Sequence, residues 1–316
     1  MKTASLLEHL DIGVVEHHEN LSFVRVFGDD KAAQRFVTLN EAFESRRFTA
    51  SETGVVAELD VQNGLDEMVF IAGGMIFEGA SQNRAAQYPS IVCANSGVTR
   101  IPVRCAEQGQ RLIGGSTYGG SRTILIASAR TGHVDQGRTW DTIHDTMTSI
   151  GRANPTQDYV KAVKEAKLED YLHSMGTPQA RQVGYIAAVM NGGLSFYADV
   201  FGNQGLYERL HSMLHESVAA VAKQNNHGNA KPLDRQRFLD FMTTARNADL
   251  EPVPMPAGTV GHTYIIKSPL TGSAVVYDGT AVQVSLRKDD YKHDPASAQT
   301  SQRSMTMIFP APPKKP

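Results

Sequence analysis

Two short stretches of the chain carry the side chains best suited to chemistry. The first is Gly79-Ala80-Ser81-Gln82-Asn83-Arg84. Gln, Asn and Arg in series present many N–H donors and two amide acceptors, enough to hold a carboxylate or phosphate in a fork. The same run also reads as an ordinary polar turn after an apolar strand. The second stretch is Val98 to Glu107. Side chains on a strand alternate between faces, so Ile101, Val103, Cys105 and Glu107 share one face and Arg100, Pro102 and Arg104 the other. The Ile/Val face is the expected core face, which turns a thiol and a carboxylate inward just before Gly109.

A buried carboxylate must find donors or neutralise. Glu107 is therefore a candidate general acid or base, unless the strand leaves the sheet first and leaves it solvated. Cys105 is a small wall residue or a nucleophile. A thiolate needs a cationic or helix-end environment, and no histidine stands near it in sequence. Gln108 follows Glu107 directly. Gln136 lies one turn before Trp140, on the helical stripe of Trp140, Ile143 and Met147. An unpaired buried amide costs about 1–3 kcal/mol, so Gln136 must cap the sheet beneath or line a pocket. Trp140 reads most simply as core.

Other candidates carry less. His211 and His215 are four apart on one helix, a spacing that suits a metal, but the glutamate of HExxH and a third ligand are absent. His17 and His18 are adjacent and point to opposite faces of any strand. No metal and no cofactor are expected. The run 114–121 (GGSTYGGS) has no following GK[ST] and is expected to be a flexible loop rather than a phosphate cradle.

These residues need elements to position them. Leu21 to Phe27 and Gly54 to Leu59 read as strands, with a short helix after Thr38-Leu39 for which Asn40 is the expected N-cap. Closely spaced strands follow at Glu67 to Ala72, Met75 to Gly79, Tyr88 to Cys93 and Val98 to Cys105, then Arg122 to Ala129. Such spacing predicts a sandwich-like antiparallel region or a curled sheet over 1–134. From 135 the periodicity becomes helical. A helix capped by Asp135 runs to Ile150, and a second runs from Gln157 to Met175. A hairpin, Gln182 to Met190 and Leu194 to Val200, turns at Asn191-Gly192-Gly193. Helices over Gln204 to Ala222 and Asp234 to Ala245 and three strands between Gly261 and Arg287 complete a helix-rich region, 135–287. Residues 288–316 read as a flexible polar tail. The expected class is α+β: a sandwich-like β region, then a sheet covered by several helices, packed as one unit.

Composition narrows the field. The 316 residues carry 31 Lys+Arg against 33 Asp+Glu, a net charge of −2, with 41% hydrophobic residues. That suits a folded chain and offers no electrostatic footprint for bulk nucleic acid. Two cysteines, no CxxC set and no apolar leader at MKTASLLEHLDIG point to a reducing, cytoplasmic setting. The longest clearly apolar stretch, Val183 to Met190, falls short of the ~20 residues of a membrane helix, so no membrane partner is expected. Homo-oligomerisation is left open.

The order of these motifs resembles one family, the ARG and rhodanese-phosphatase-superfamily-associated protein domain. Gly79 to Arg84 and Ile101 to Gly109 are similar to its paired GAxQNR and PVxCxEQG signatures. Asp135 to Trp140, Pro155-Thr156 with Tyr159, Asn191-Gly192, Asp199-Val200-Phe201 and Leu206-Tyr207 continue the likeness, which spans roughly residues 20 to 287. The family's Arg-Trp pair after EQG is replaced here by Gln110-Arg111-Leu112. The resemblance implies an α+β fold and a link to NAD and ADP-ribose metabolism or to a conflict and defence context. It does so by association with ADP-ribosylglycohydrolases and rhodanese-type phosphatases.

Three readings stand on these residues. In one, Gln82, Asn83, Arg84, Gln108 and Gln136 bind a nucleotide-derived small molecule. In another, Glu107 hydrolyses such a molecule. In the third, the cluster only pins strands together in a protein-interaction domain.

Overall fold

The structure, a computed structural model, describes residues 3–32, 34–107, 109, 116–130, 136–153, 156–224, 228, 230–267 and 269–290. Helices and sheets are interleaved along the chain, giving the α+β class.

Six strands close into a barrel, the curled-sheet alternative rather than the sandwich. In ring order they are Thr99–Cys105, Glu58–Asn63, Phe48–Glu52, Thr117–Ile124, Met75–Gly79 and Arg84–Ala86. The ring shuts where Val103–Cys105 pairs antiparallel with Arg84–Ala86, Cys105 opposite Arg84. Alternation supplies the apolar lining: Phe48 and Ala50, Leu59 and Val61, Ile101 and Val103 are all buried. Closure removes exposed edges, which suits strands this short.

Several local expectations change. Strand residues Thr117 to Ser121 replace the flexible loop over the described part of that run, and Ala127–Arg130 is a helical turn, not the end of a strand. Tertiary pairing of Tyr118 with Ala50 and Gly79 overrides the low strand propensity of Gly119 and Gly120. The strand expected from Gly54 begins at Glu58. The helix Leu39–Glu44 is capped by Thr38, not Asn40; Thr38 Oγ1 accepts from the Glu41 N–H while the Glu41 carboxylate accepts from the Thr38 N–H. The single helix over 157–175 is two, Tyr159–Glu165 capped by Asp158 and Glu169–Met175. Asp135 lies outside the described residues. Trp140 is half-buried rather than core.

The larger element is an eight-stranded antiparallel sheet in the order Asp11–His18, Leu21–Phe27, Gln182–Met190, Leu194–Phe201, Thr280–Asp290, Thr271–Tyr277, His262–Lys267, Asp249–Val253. Its first two strands come from the N-terminal region, so residue 134 does not separate two sheets. The last strand runs through Asp290; 291–316 lie outside the described residues. Both faces of the sheet are covered, which explains the unbroken apolar run at Val183 to Met190. Tyr185, Ala187 and Val189 enter one core with Leu206, Leu210 and Leu214 of the helix Gln204–Lys223. Ile186 and Ala188 enter another with Phe238 and Phe241 of the helix Arg235–Arg246. The Gln204–Lys223 helix also touches the barrel strand Thr117–Ile124, joining sheet and barrel. A small sheet of Val37–Thr38, Val69–Ile71, Ser90–Val92 and Thr259–Val260 fills the remaining gap.

Candidate functional site

One rim of the barrel gathers most of the residues singled out above. Glu52, Gly79 and Cys105 end their strands there, while Arg84 begins its strand and Tyr118 lies one residue into its own. The turn from Gly79 to Arg84 is shaped by contact: a Cβ at Gly79, whose φ is +139°, would fall 2.9 Å from the Thr117 carbonyl oxygen.

Arg84 is 3% exposed and Glu107 1%, so both are sheltered and lie in one cluster. They meet through intermediates. Arg84 Nη1 donates to Gln82 Oε1 at 2.9 Å and to the Cys105 sulfur. The Cys105 thiol in turn donates to Gln82 Oε1 at 3.2 Å. Gln82 Nε2 donates to the Glu107 carbonyl, and the Asn83 N–H to Glu107 Oε2 at 3.2 Å. Asn83 Oδ1 accepts from the Gly79 N–H at 3.1 Å, and its amide nitrogen donates to Asp158 Oδ1 at 3.3 Å, tying the turn to the next helix start. Gly109 packs on the same region: its N–H donates to the Thr156 carbonyl, and a Cβ there would lie 2.9 Å from Thr156 Cα.

Gln136 reaches the cluster but spends its amide on main chain. Its Oε1 accepts from the Cys105 N–H at 2.8 Å and its Nε2 donates to the Cys105 carbonyl at 3.1 Å. Along the strand of Cys105, the neighbouring Glu58–Asn63 reaches only Thr99 to Pro102. Gln136 thus stands in for the strand partner that Cys105 lacks on that side. Gln108 lies outside the described residues. Arg104, on the opposite face, is buried too; it donates to the Ala129 and Gln87 carbonyls at 3.2 and 3.3 Å.

Sequence reasoning missed two members of the cluster. Tyr118 OH points to Glu52 Oε1 and to the Gln82 carbonyl, 3.2 Å away, its single proton serving one acceptor at a time. Glu52 Oε1 also accepts from Ser81 Oγ at 3.3 Å and lies 3.7 Å from Arg84 Nη2. Glu52 shares the parity of Phe48 and Ala50, the one signal that pointed it inward.

Electrostatics fix the protonation states. Burial works against the Arg84 charge, but Cys105, Tyr118 and Glu52 outweigh it and hold the guanidinium above its ordinary value. Burial pushes the Cys105 thiol up against the pull of Arg84, which favours the neutral donor over the thiolate. Burial first and Glu52 second push the Tyr118 phenol up.

The histidine pair finds other partners. Gln182 Nε2 donates to Tyr207 OH, which leaves that phenol to donate to His215 Nε2 at 3.0 Å; His211 Nδ1 sits 2.8 Å from the Glu208 carbonyl. Among the described residues, no group of three His, Cys, Asp or Glu side chains is placed to hold a metal ion.

A family profile described as ARG and Rhodanese-Phosphatase-superfamily-associated Protein domain matches residues 9–287. The chain belongs to this family. In this ARG and rhodanese-phosphatase-associated member, Gly79–Arg84 and the strand end at Cys105 with Glu107 meet at one barrel rim. No curated protein and no solved structure matches the chain. Among the described residues of this family member, no helix is long and apolar enough to cross a membrane.

Proposed function

We propose that the barrel rim binds a small nucleotide-derived molecule of the NAD or ADP-ribose class. One observation carries the reading: the rim holds a charged pair with unspent capacity. Arg84 Nε is buried without a partner, and Glu52, 21% exposed on its side chain, takes its bonds on Oε1. A buried N–H without an acceptor costs about 1–3 kcal/mol, which a ligand oxygen would offset. A carboxylate with one oxygen to spare suits the paired hydroxyls of a ribose. The nucleotide class itself rests on the family resemblance. Gln82, Asn83 and Gln136 frame the rim, and Cys105 is its wall.

Isothermal titration with NAD, ADP-ribose and cyclic derivatives tests this. Saturable binding that weakens about tenfold in Glu52→Gln, the loss of one charge-assisted hydrogen bond, supports it. Silence across the panel up to millimolar concentration defeats it.

A second reading has its own observation. Gln82, Cys105 and Gln136 bond within the cluster or to its main chain, as in a network that specifies strand pairing. Under that reading Arg84→Ala lowers Tm and no member of the panel binds.

A further inference from the structure

A separate cleft of about 220 Å³ opens where the Gln136–Ser149 helix, the hairpin turn after Met190 and the end of the Gln204–Lys223 helix meet. We propose that it is a binding site for a small neutral polyol. The proposal does not depend on the barrel-rim reading.

Its walls are polar and differ in what they offer. Ser128 lines the cleft, and its Oγ is buried just behind the surface with no hydrogen-bond partner. Exposed Asp145 and half-buried Gln224 and Thr142 line the same cleft. A carboxylate only accepts, an amide does both, and a hydroxyl does both. Groups that donate and accept from adjacent carbons, as polyol hydroxyls do, match such a wall.

Charge weighs against an anion. Arg287 also lines the cleft, but Asp289 neutralises it, with Nε donating to Oδ1 at 3.1 Å and Nη2 lying 2.9 Å from Oδ2. Its remaining reach goes to the Ser128 carbonyl and over the Tyr197 ring, 5.9 Å from the centroid. Asp145 then leaves the lining acidic, which opposes an anion. An apolar guest would strand the wall groups without partners.

The floor is rigid. Ser128, Tyr197 and Arg287 each stand two residues from a member of a buried network, Arg130, Asp199 and Ser285. In that network Arg130 Nη1 donates to Asp199 Oδ1 and to Ser285 Oγ, both at 2.9 Å. A wall anchored to such a network is held in place before any ligand arrives.

Ligand-observed NMR titrations with myo-inositol, orthophosphate and putrescine, each offered to the full chain, test the proposal. Saturable myo-inositol binding in the millimolar range is expected. It should weaken about tenfold in the Asp145→Ala/Gln224→Ala double variant, the effect of losing a hydrogen bond to a charged acceptor, and stay unchanged in Glu52→Gln. Both substituted side chains reach solvent, so the fold is retained. Absence of myo-inositol binding, tighter binding of orthophosphate or putrescine, or indifference to the double variant overturns it.

Discussion

Arg84 and Glu52 stand on strands diametrically opposite one another in the six-stranded ring, three steps apart either way, yet their charged groups approach to 3.7 Å. Such a contact can form only across the lumen. The rim is therefore bridged from within, and the Gly79–Arg84 stretch supplies the cationic end of that bridge.

Arg84→Ala removes a donor from Gln82 Oε1 and from Cys105 and leaves a cavity. We expect a loss of about 2–4 kcal/mol in urea denaturation, the range for breaking a buried polar network. Glu52 is partly solvated, so Glu52→Gln should cost under about 1 kcal/mol. Equal losses from both would remove the asymmetry argued here.

Arg130 and Asp199 form a pair at 1% and 0% side-chain exposure, joined by Tyr185 OH donating to Asp199 Oδ2 at 2.6 Å. Asp199→Ala should cost about 3–5 kcal/mol by chemical denaturation, because it leaves a buried guanidinium uncompensated. The double change Arg130→Met/Asp199→Leu should recover a large part of that loss. A single variant as stable as the parent would contradict the account.

Two neighbours on one helix oppose each other in pH dependence. Burial chiefly lowers His215 to about 3, with smaller contributions from His211 and Arg25. The unfolded chain thus binds the extra proton from pH 6.5 downward, and stability falls from there to about pH 3. Burial raises Glu216 to about 7 against the pull of Lys164. The folded chain holds that proton longer, so stability falls as pH rises from 4.5 to about 7. His215→Gln should flatten the acid limb, and Glu216→Gln should gain most over the parent above pH 7. Melting curves between pH 4 and 8 for the parent and both variants check this; unchanged profiles would refute it.

The two cysteines should separate in thiol titration with a disulfide reagent. Cys93 is partly exposed; Cys105 is buried with its thiol pushed up. Cys93 should react in the folded protein and Cys105 only on denaturation. Fast labelling of Cys105 at neutral pH would restore it as a nucleophile.

What the sequence revealed was what local pattern determines. The hairpin around Asn191-Gly192 was legible because its strands are apolar on both faces and its turn residues are distinctive. Cys105 was placed inward by alternation; its strand ends there, and Glu107 is buried beyond it through Gln82 and Asn83, not through strand parity. Tyr118 was hidden by flanking glycines, since its strand exists through distant partners at Ala50 and Gly79. The role of Gln136 was equally unreadable: an amide that substitutes for a missing strand leaves no mark on helical periodicity. Barrel closure itself depends on which strands meet, a long-range fact that spacing does not encode.

The large sheet seats Leu21–Phe27 beside Gln182–Met190, in register from Val26 opposite Gly184 to Leu21 opposite Val189, with a bulge before Phe27 opposite Gln182. Nearly half the chain is threaded between these neighbours. During translation the early hairpin must therefore wait, half-zipped, while the barrel is synthesised. Slow, nonlocal closure of this kind places folding at the high-contact-order end of the rate spectrum, and leaves a nascent apolar strand for chaperones to shield.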